Sequence, residues 1–166
     1  MAEALRLEAL ENPGGRIHHG EHIFALRVYY EDTDAGGIVY YANYLRYAER
    51  ARTEMIRDLG IRNPELHARH GAGFAVRRCN ADYRRPARLD DLLAVHTRLT
   101  AVGGASVDAV QVVRRDDEEL VRLDVRLAYM TADGKAARLP REVRGALAGF
   151  CGGSTSGRRE HGLEND

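Results

Sequence analysis

The sequence predicts an α+β domain in which an antiparallel sheet of five strands wraps around one long central helix. Three observations point there. Tyr44, Ala48, Ala51, Met55 and Leu59 recur at three- and four-residue steps, which describes a helix of about four turns or more. On either side of it the apolar residues change to strand period, most regularly where Val121, Leu123, Val125, Leu127 and Tyr129 alternate with Arg122, Asp124 and Arg126. The strands that follow are joined by short turn segments rather than crossover helices, so antiparallel pairing is the geometry open to them.

In chain order, residues 1–21 read as a flexible leader: residues 2–10 can form a helical turn, and Asn12-Pro13-Gly14-Gly15 stops it. Residues 23–30 are rich in β-branched and aromatic side chains and put Phe24, Leu26, Val28 and Tyr30 on one face, as a strand does. After Asp34-Ala35-Gly36-Gly37 comes the long helix, with Ala48 and Ala51 small enough for close approach to a sheet and Gly60 at the C′ position. Asn63-Pro64 supplies a cap and an N1 proline for a short second helix that ends near Gly71. Residues 74–83, 92–101, 105–115 and 120–130 are the remaining strands. They are punctuated by Pro86-Ala87-Arg88-Leu89-Asp90-Asp91, Gly103-Gly104 and Asp116-Asp117-Glu118. Pro140 opens a closing helix with Val143, Leu147 and Phe150 on one stripe, so the domain spans 22–150 and residues 151–166 have the composition of a disordered tail.

Composition narrows the function classes. A chain of 166 residues with 44% hydrophobic content can build one core. Basic and acidic residues balance at 25 each, which leaves no global field to attract nucleic acid or an anionic membrane. Cys79 and Cys151 are too few and too distant for a metal-ligand motif or a disulfide framework. No apolar run has the length of a membrane span, and the first residues lack the pattern of a signal peptide. Together these place the expected protein in the cytoplasm, with no metal or redox cofactor.

Chemistry is concentrated between residues 29 and 52, where two carboxylates, two glycines and a group of tyrosines precede the long helix. A glycine pair lets the backbone turn sharply, and the first N–H groups of a helix, unpaired and carrying about half a positive charge, can hold a developing oxyanion. Asp34, just upstream, can serve as nucleophile or general base for attack on a carbonyl. Composition alone favours the plainer reading of Asp34 as a turn or cap residue. A calcium loop would need Glu at its twelfth position, where Asn43 stands, and an Asp-x-Asp phosphatase would need crossover helices that the downstream sequence lacks.

The ordered pattern Tyr30-x-Asp32-x-Asp34-x-x-Gly37-x-Val39-Tyr40-x-x-Asn43-Tyr44, followed by Tyr47-x-Glu49-x-Ala51-Arg52, resembles the signature of hotdog-fold acyl-CoA thioesterases. It is most like the 4-hydroxybenzoyl-CoA thioesterase-like branch that includes the thioesterase encoded with the Tol-Pal system. The likeness continues through Ala81-Asp82-Tyr83-x-x-Pro86-Ala87-Arg88-x-Asp90-Asp91 and Arg138-Leu139-Pro140, and covers about residues 20–150. It implies a hotdog fold and acyl-CoA hydrolysis with Asp34 as the catalytic carboxylate. The backbone N–H of Tyr41 would polarise the thioester carbonyl, and Tyr30, Gly37, Val39 and Tyr40 would line the substrate site. It also implies homodimers that join their sheets, often paired again as homotetramers, and coenzyme A as part of the substrate with its phosphates on surface arginines. Tol-Pal-associated members usually carry His where this chain has Tyr41, whereas hydroxybenzoyl-type members carry Tyr. A backbone role tolerates that exchange. An acyl-thioester dehydratase or hydratase of the same fold, and an acyl-CoA- or partner-binding protein of little activity, are the alternatives to hydrolysis.

Other reactive side chains read as structural. The seven histidines show no ligand spacing, and His96 points to the polar side of its strand. Glu49 is expected to pair with Arg52 or Arg46, and Asp90-Asp91 to shape a turn.

Overall fold

The computed structural model describes residues 13–153, so residues 1–12 and 154–166, which hold most of the expected leader and tail, lie outside the described residues. Strands β1 (Arg16–His18), β2 (Glu21–Arg27), β3 (Ala72–Tyr83), β4 (Leu92–Val102), β5 (Ser106–Arg115) and β6 (Glu118–Thr131) form one sheet in the order β1-β2-β4-β5-β6-β3. Every pair is antiparallel. Helices α1 (Asn43–Asp58), α2 (Asn63–His70) and α3 (Arg141–Gly152) complete the fold. Among the described residues no helix is long and apolar enough to cross a membrane.

The sheet has six strands where the sequence predicts five. The extra one, β1, lies inside the stretch expected to be leader, and it pairs with β2 through a two-residue turn in which His19 and Gly20 both have positive φ (47° and 74°). A strand of three residues is too short to show a period. The strand expected over residues 23–30 ends instead at Arg27, and Tyr30 falls in a single turn of 3₁₀ helix, Tyr30–Asp32.

One face of the sheet is covered by α1. The alternation in β6 buries Val121, Leu123, Val125, Leu127 and Tyr129, and the matching positions Leu93, Val95 and Leu99 of β4 and Val107, Ala109 and Val113 of β5 face the same side. From α1 come Tyr44, Tyr47, Ala48, Ala51, Met55 and Ile56. Full burial of each large apolar side chain contributes about 1.5–3 kcal/mol. The helix ends in a Schellman arrangement: Gly60 N–H donates to Arg57 O (2.9 Å) and Ile61 N–H to Ile56 O (3.1 Å), with Ile61 buried as the apolar clasp. α3 buries the predicted stripe of Val143, Leu147 and Phe150.

Polar contacts also fix α1 on the sheet. Thr97 and Gln111 are cross-strand partners on the inner face and fully buried. Gln111 accepts a hydrogen bond from Arg52 at 2.7 Å and donates to Ala48 O and Thr97 Oγ1, both at 2.9 Å. Arg52 is therefore engaged by Gln111 rather than in the surface pair with Glu49 expected from their spacing, and burial pulls its pKa below the usual arginine value. The small side chain of Ala48 lets its carbonyl reach Gln111.

The two edges of the sheet differ. β1 is short, whereas β3 has 12 residues, with a bulge between Val76 and Arg78, and every residue from Val76 to Tyr83 is exposed.

Candidate active site

The segment between β2 and α1 folds into a tight, tied turn. At its start Asp32 Oδ2 accepts the Tyr29 N–H at 2.8 Å. The chain then doubles back. Thr33 and Val39 form an antiparallel bridge, Asp34 N–H donates to Ile38 O (2.9 Å), and Gly37 N–H donates to Asp34 O (3.0 Å). Gly37 adopts φ 75°, a left-handed conformation that strains a side chain-bearing residue. Asp34 Oδ1 accepts the Gly36 N–H at 2.8 Å, while Oδ2 has no hydrogen-bond partner among the described residues and the side chain is exposed.

Asp34 thus closes its own turn and does not cap α1. The helix cap is Ala42, with no side-chain cap bond. The expectation that Gly36-Gly37 directly opens the helix is likewise corrected. Ile38, Val39 and Tyr40 intervene, and the helix entrance is made by Tyr40, whose carbonyl accepts the Asn43 N–H at 2.8 Å. The Tyr41 and Ala42 N–H groups have no acceptor among the described residues, so the unpaired donors of the helix entrance lie where the sequence places the oxyanion site.

Both arms of the turn are tied to neighbouring structure. Asp32 O accepts from Tyr40 N–H (2.9 Å) and from Asn43 Nδ2 (2.8 Å). Val39 N–H donates to Ala87 O, and Ala87 N–H donates to Tyr44 Oη, each at 2.9 Å. Beyond lies a row of tyrosines. Ring centroids are 4.8 Å apart for Tyr40 and Tyr41, 6.1 Å for Tyr41 and Tyr83, and 5.8 Å for Tyr44 and Tyr83. Tyr83 Oη donates to Tyr41 O at 3.3 Å. The Tyr41 hydroxyl beside Tyr40 pushes the Tyr40 phenol above its ordinary pKa, and burial does the same to Tyr44. The phenol of Tyr47, buried under them, is pushed above its ordinary pKa by burial and by the nearby Asp32 charge.

Of the predicted residues, Asp34 and Gly37 share the turn, and Tyr40 and Tyr41 stand exposed at the helix entrance. Tyr30 precedes the turn and is 82% exposed. Val39 is the exception: its side chain belongs to the hydrophobic core, so within one chain it supports the turn and offers no surface to a substrate. Tyr83, Asn43 and Tyr44 were present in the motifs but without a role. Only the fold shows that Tyr83, 42 residues downstream, meets Tyr41. Two of the histidines are engaged elsewhere: His22 Nε2 lies 3.0 Å from Asp58 Oδ2, and His96 Nδ1 lies 3.2 Å from Glu21 Oε2.

Comparison with known proteins agrees with this layout. The model of the thioesterase-like superfamily matches residues 28–147. The acyl-CoA thioesterase YbgC of Haemophilus influenzae is 41% identical over 125 residues, 75% of this chain and 92% of that protein. A crystal structure from Bartonella henselae, described as a probable thioesterase, is 38% identical with a TM-score of 0.69 over 72% of this chain and 99% of the other. A 4-hydroxybenzoyl-CoA thioesterase mutant in complex with 4-hydroxybenzoyl-CoA shares the fold, with a TM-score of 0.72, 23% identity and coverage of 76% and 98%. A sheet wrapped around one helix, matched in sequence over most of its length, leaves one conclusion: the chain has the hotdog fold and belongs to the thioesterase-like superfamily.

Proposed function

We propose that the protein hydrolyses acyl-CoA thioesters to the free acid and coenzyme A. The observation that carries this reading is that one tied turn holds a carboxylate oxygen, Asp34 Oδ2, and leads into the N–H groups of Tyr41 and Ala42, all without a hydrogen-bond partner among the described residues. A thioester carbonyl seated on those N–H groups becomes more electrophilic, and the charge on its oxygen in the tetrahedral intermediate falls where the helix end is positive. Asp34 takes a proton from the attacking water, the C–O bond forms, the C–S bond breaks, and the proton passes to the departing thiolate. Attack by Asp34 itself, through an anhydride opened by water, uses the same geometry. No resident metal or redox group is required. A dehydratase would want an imidazole beside the carboxylate, and among the described residues no hydrogen bond joins a histidine to Asp34, while His22 and His96 are engaged by Asp58 and Glu21.

The active unit in this reading is a homodimer, with tetramers formed by a second contact, in the cytoplasm. β3 leaves its far half open together with Tyr41 and Leu45, and a two-fold pairing of β3 with its copy continues the sheet and covers all of these. Such pairing is antiparallel. The Ala72 end of β3, which pairs with Thr131, would then approach the partner's Tyr83 end. On the Ala72 side lies a groove of about 610 Å³ lined by Arg138, Arg141 and Arg144, none in an ion pair among the described residues, and we assign the coenzyme A phosphates to it.

Thiol release from a panel of short, long and aromatic acyl-CoAs tests the function and defines the acyl group. Asp34→Asn is expected to keep the fold and lose at least about 10²-fold in kcat; wild-type turnover by that variant would overturn the assignment.

A further inference from the structure

The motif residues Asn43 and Tyr44 are left without a task by the reaction itself, and the hydrogen bonds around them supply one. They are adjacent in the first turn of α1, both buried, at 7% and 2% exposure. Their side chains leave the helix toward different arms of the reactive turn. Asn43 Nδ2 donates to Asp32 O, the same oxygen that takes the Tyr40 N–H, and so holds the arm leading into Asp34. Tyr44 Oη accepts the Ala87 N–H, and Ala87 O in turn accepts the Val39 N–H, which holds the arm leading out. Asp34 is two residues beyond the first tie. Tyr41 is two residues beyond the second.

We propose that Asn43 and Tyr44 are positioning residues, a two-point clamp that sets the Asp34 carboxylate against the Tyr41 and Ala42 N–H groups. The proposal rests on the hydrolase reading of that site. Neither residue needs to touch the substrate. The helix is fixed to the sheet through its apolar face and through Arg52 and Gln111, so the turn inherits its coordinates from a rigid element, and losing one tie lets one arm drift. Reactions of this kind are sensitive to such drift: a displacement of about 1 Å can lower the rate about 10²-fold.

The test compares wild type with Asn43→Ala, Tyr44→Phe and Met55→Ala, the last a core residue of the same helix at 1% exposure. Thiol release and backbone amide exchange are both measured. Asn43→Ala and Tyr44→Phe are expected to lower kcat about 10- to 100-fold, with KM changed less than about threefold. The Tyr40 amide should exchange faster in Asn43→Ala and the Val39 amide faster in Tyr44→Phe. Met55→Ala should lose thermal stability yet keep its kcat. The clamp is overturned if both motif variants retain wild-type kcat, if their loss lies only in KM, if Met55→Ala loses kcat equally, or if the two amides exchange at wild-type rates. If wild type releases no thiol from any acyl-CoA, the hydrolase reading fails separately, and the exchange rates alone decide whether the ties hold the turn.

Discussion

The two edges of the sheet are handled in opposite ways. β1 is three residues long, folds back through a tight turn, and sits on β2, whose His22 is fully buried with Nε2 3.2 Å from Gly14 O and 3.0 Å from Asp58 Oδ2. β3 is four times as long and has, among the described residues, no strand on its outer edge, where Val76 is 51% and Tyr83 44% exposed. A short edge limits unwanted pairing, whereas a long open one invites a second chain. The turn around Asp34 lies beside the long edge, through Tyr83 and Tyr41, and not beside the short one. Changes at β3 should therefore alter assembly and turnover, and changes at β1 should alter stability alone.

The largest effect is expected from Val76→Asp, which places a charge on the open edge: self-association measured by sedimentation should weaken at least about 100-fold, with turnover falling in step. A variant that stays dimeric and active would remove β3 from the interface. On the other edge, a side chain at Gly15 would bring its Cβ to 2.5 Å from Ile23 O at a backbone φ of 83°. Gly15→Val should cost about 2 kcal/mol or more, roughly 4–8 °C in melting temperature, with kcat unchanged.

His22 provides a smaller test. Burial lowers its pKa below 6.5 against the opposing pull of Asp58. Below pH 6.5 the unfolded chain takes up a proton that the folded one refuses, so stability should fall as pH drops from about 6.5 toward the folded value, with a slope of at most about 1.4 kcal/mol per pH unit. His22→Gln should flatten that part of a denaturation profile taken against pH; an unchanged slope would assign it elsewhere. The smallest effect is expected from Tyr41→Phe, which keeps the backbone donor: kcat should change less than about threefold, and a large loss would bring the hydroxyl into the reaction.

Much of this arrangement was legible in the sequence because it is written in period. α1, the β6 alternation and the α3 stripe fall where the spacing of apolar residues puts them, and Gly60 and Gly71 end their helices as glycines do. The turn around Asp34 stood out through its motif. The features that period does not encode were missed. β1 is too short to alternate, Val39 lies in the hydrophobic core, and Tyr83 reaches Tyr41 only after β3 has paired with β6. Of the two partners expected for Glu49, Arg46 and Arg52, the second is taken by the sheet. Spacing along a helix offers Glu49, and only the fold brings Gln111.

That last contact has a mechanical consequence. Apolar contact between a helix and a sheet is non-directional, so packing sets the position of the helix by shape alone. The Gln111 amide, which accepts from the Arg52 guanidinium and donates to the Ala48 carbonyl, acts as a detent, because both ties close only at one angle and one height of α1. Asn43 lies nine residues upstream, about 13 Å along the axis, and turns with the same shaft. The aim of the carboxylate at one end of the helix is therefore set in part by an amide buried near its middle.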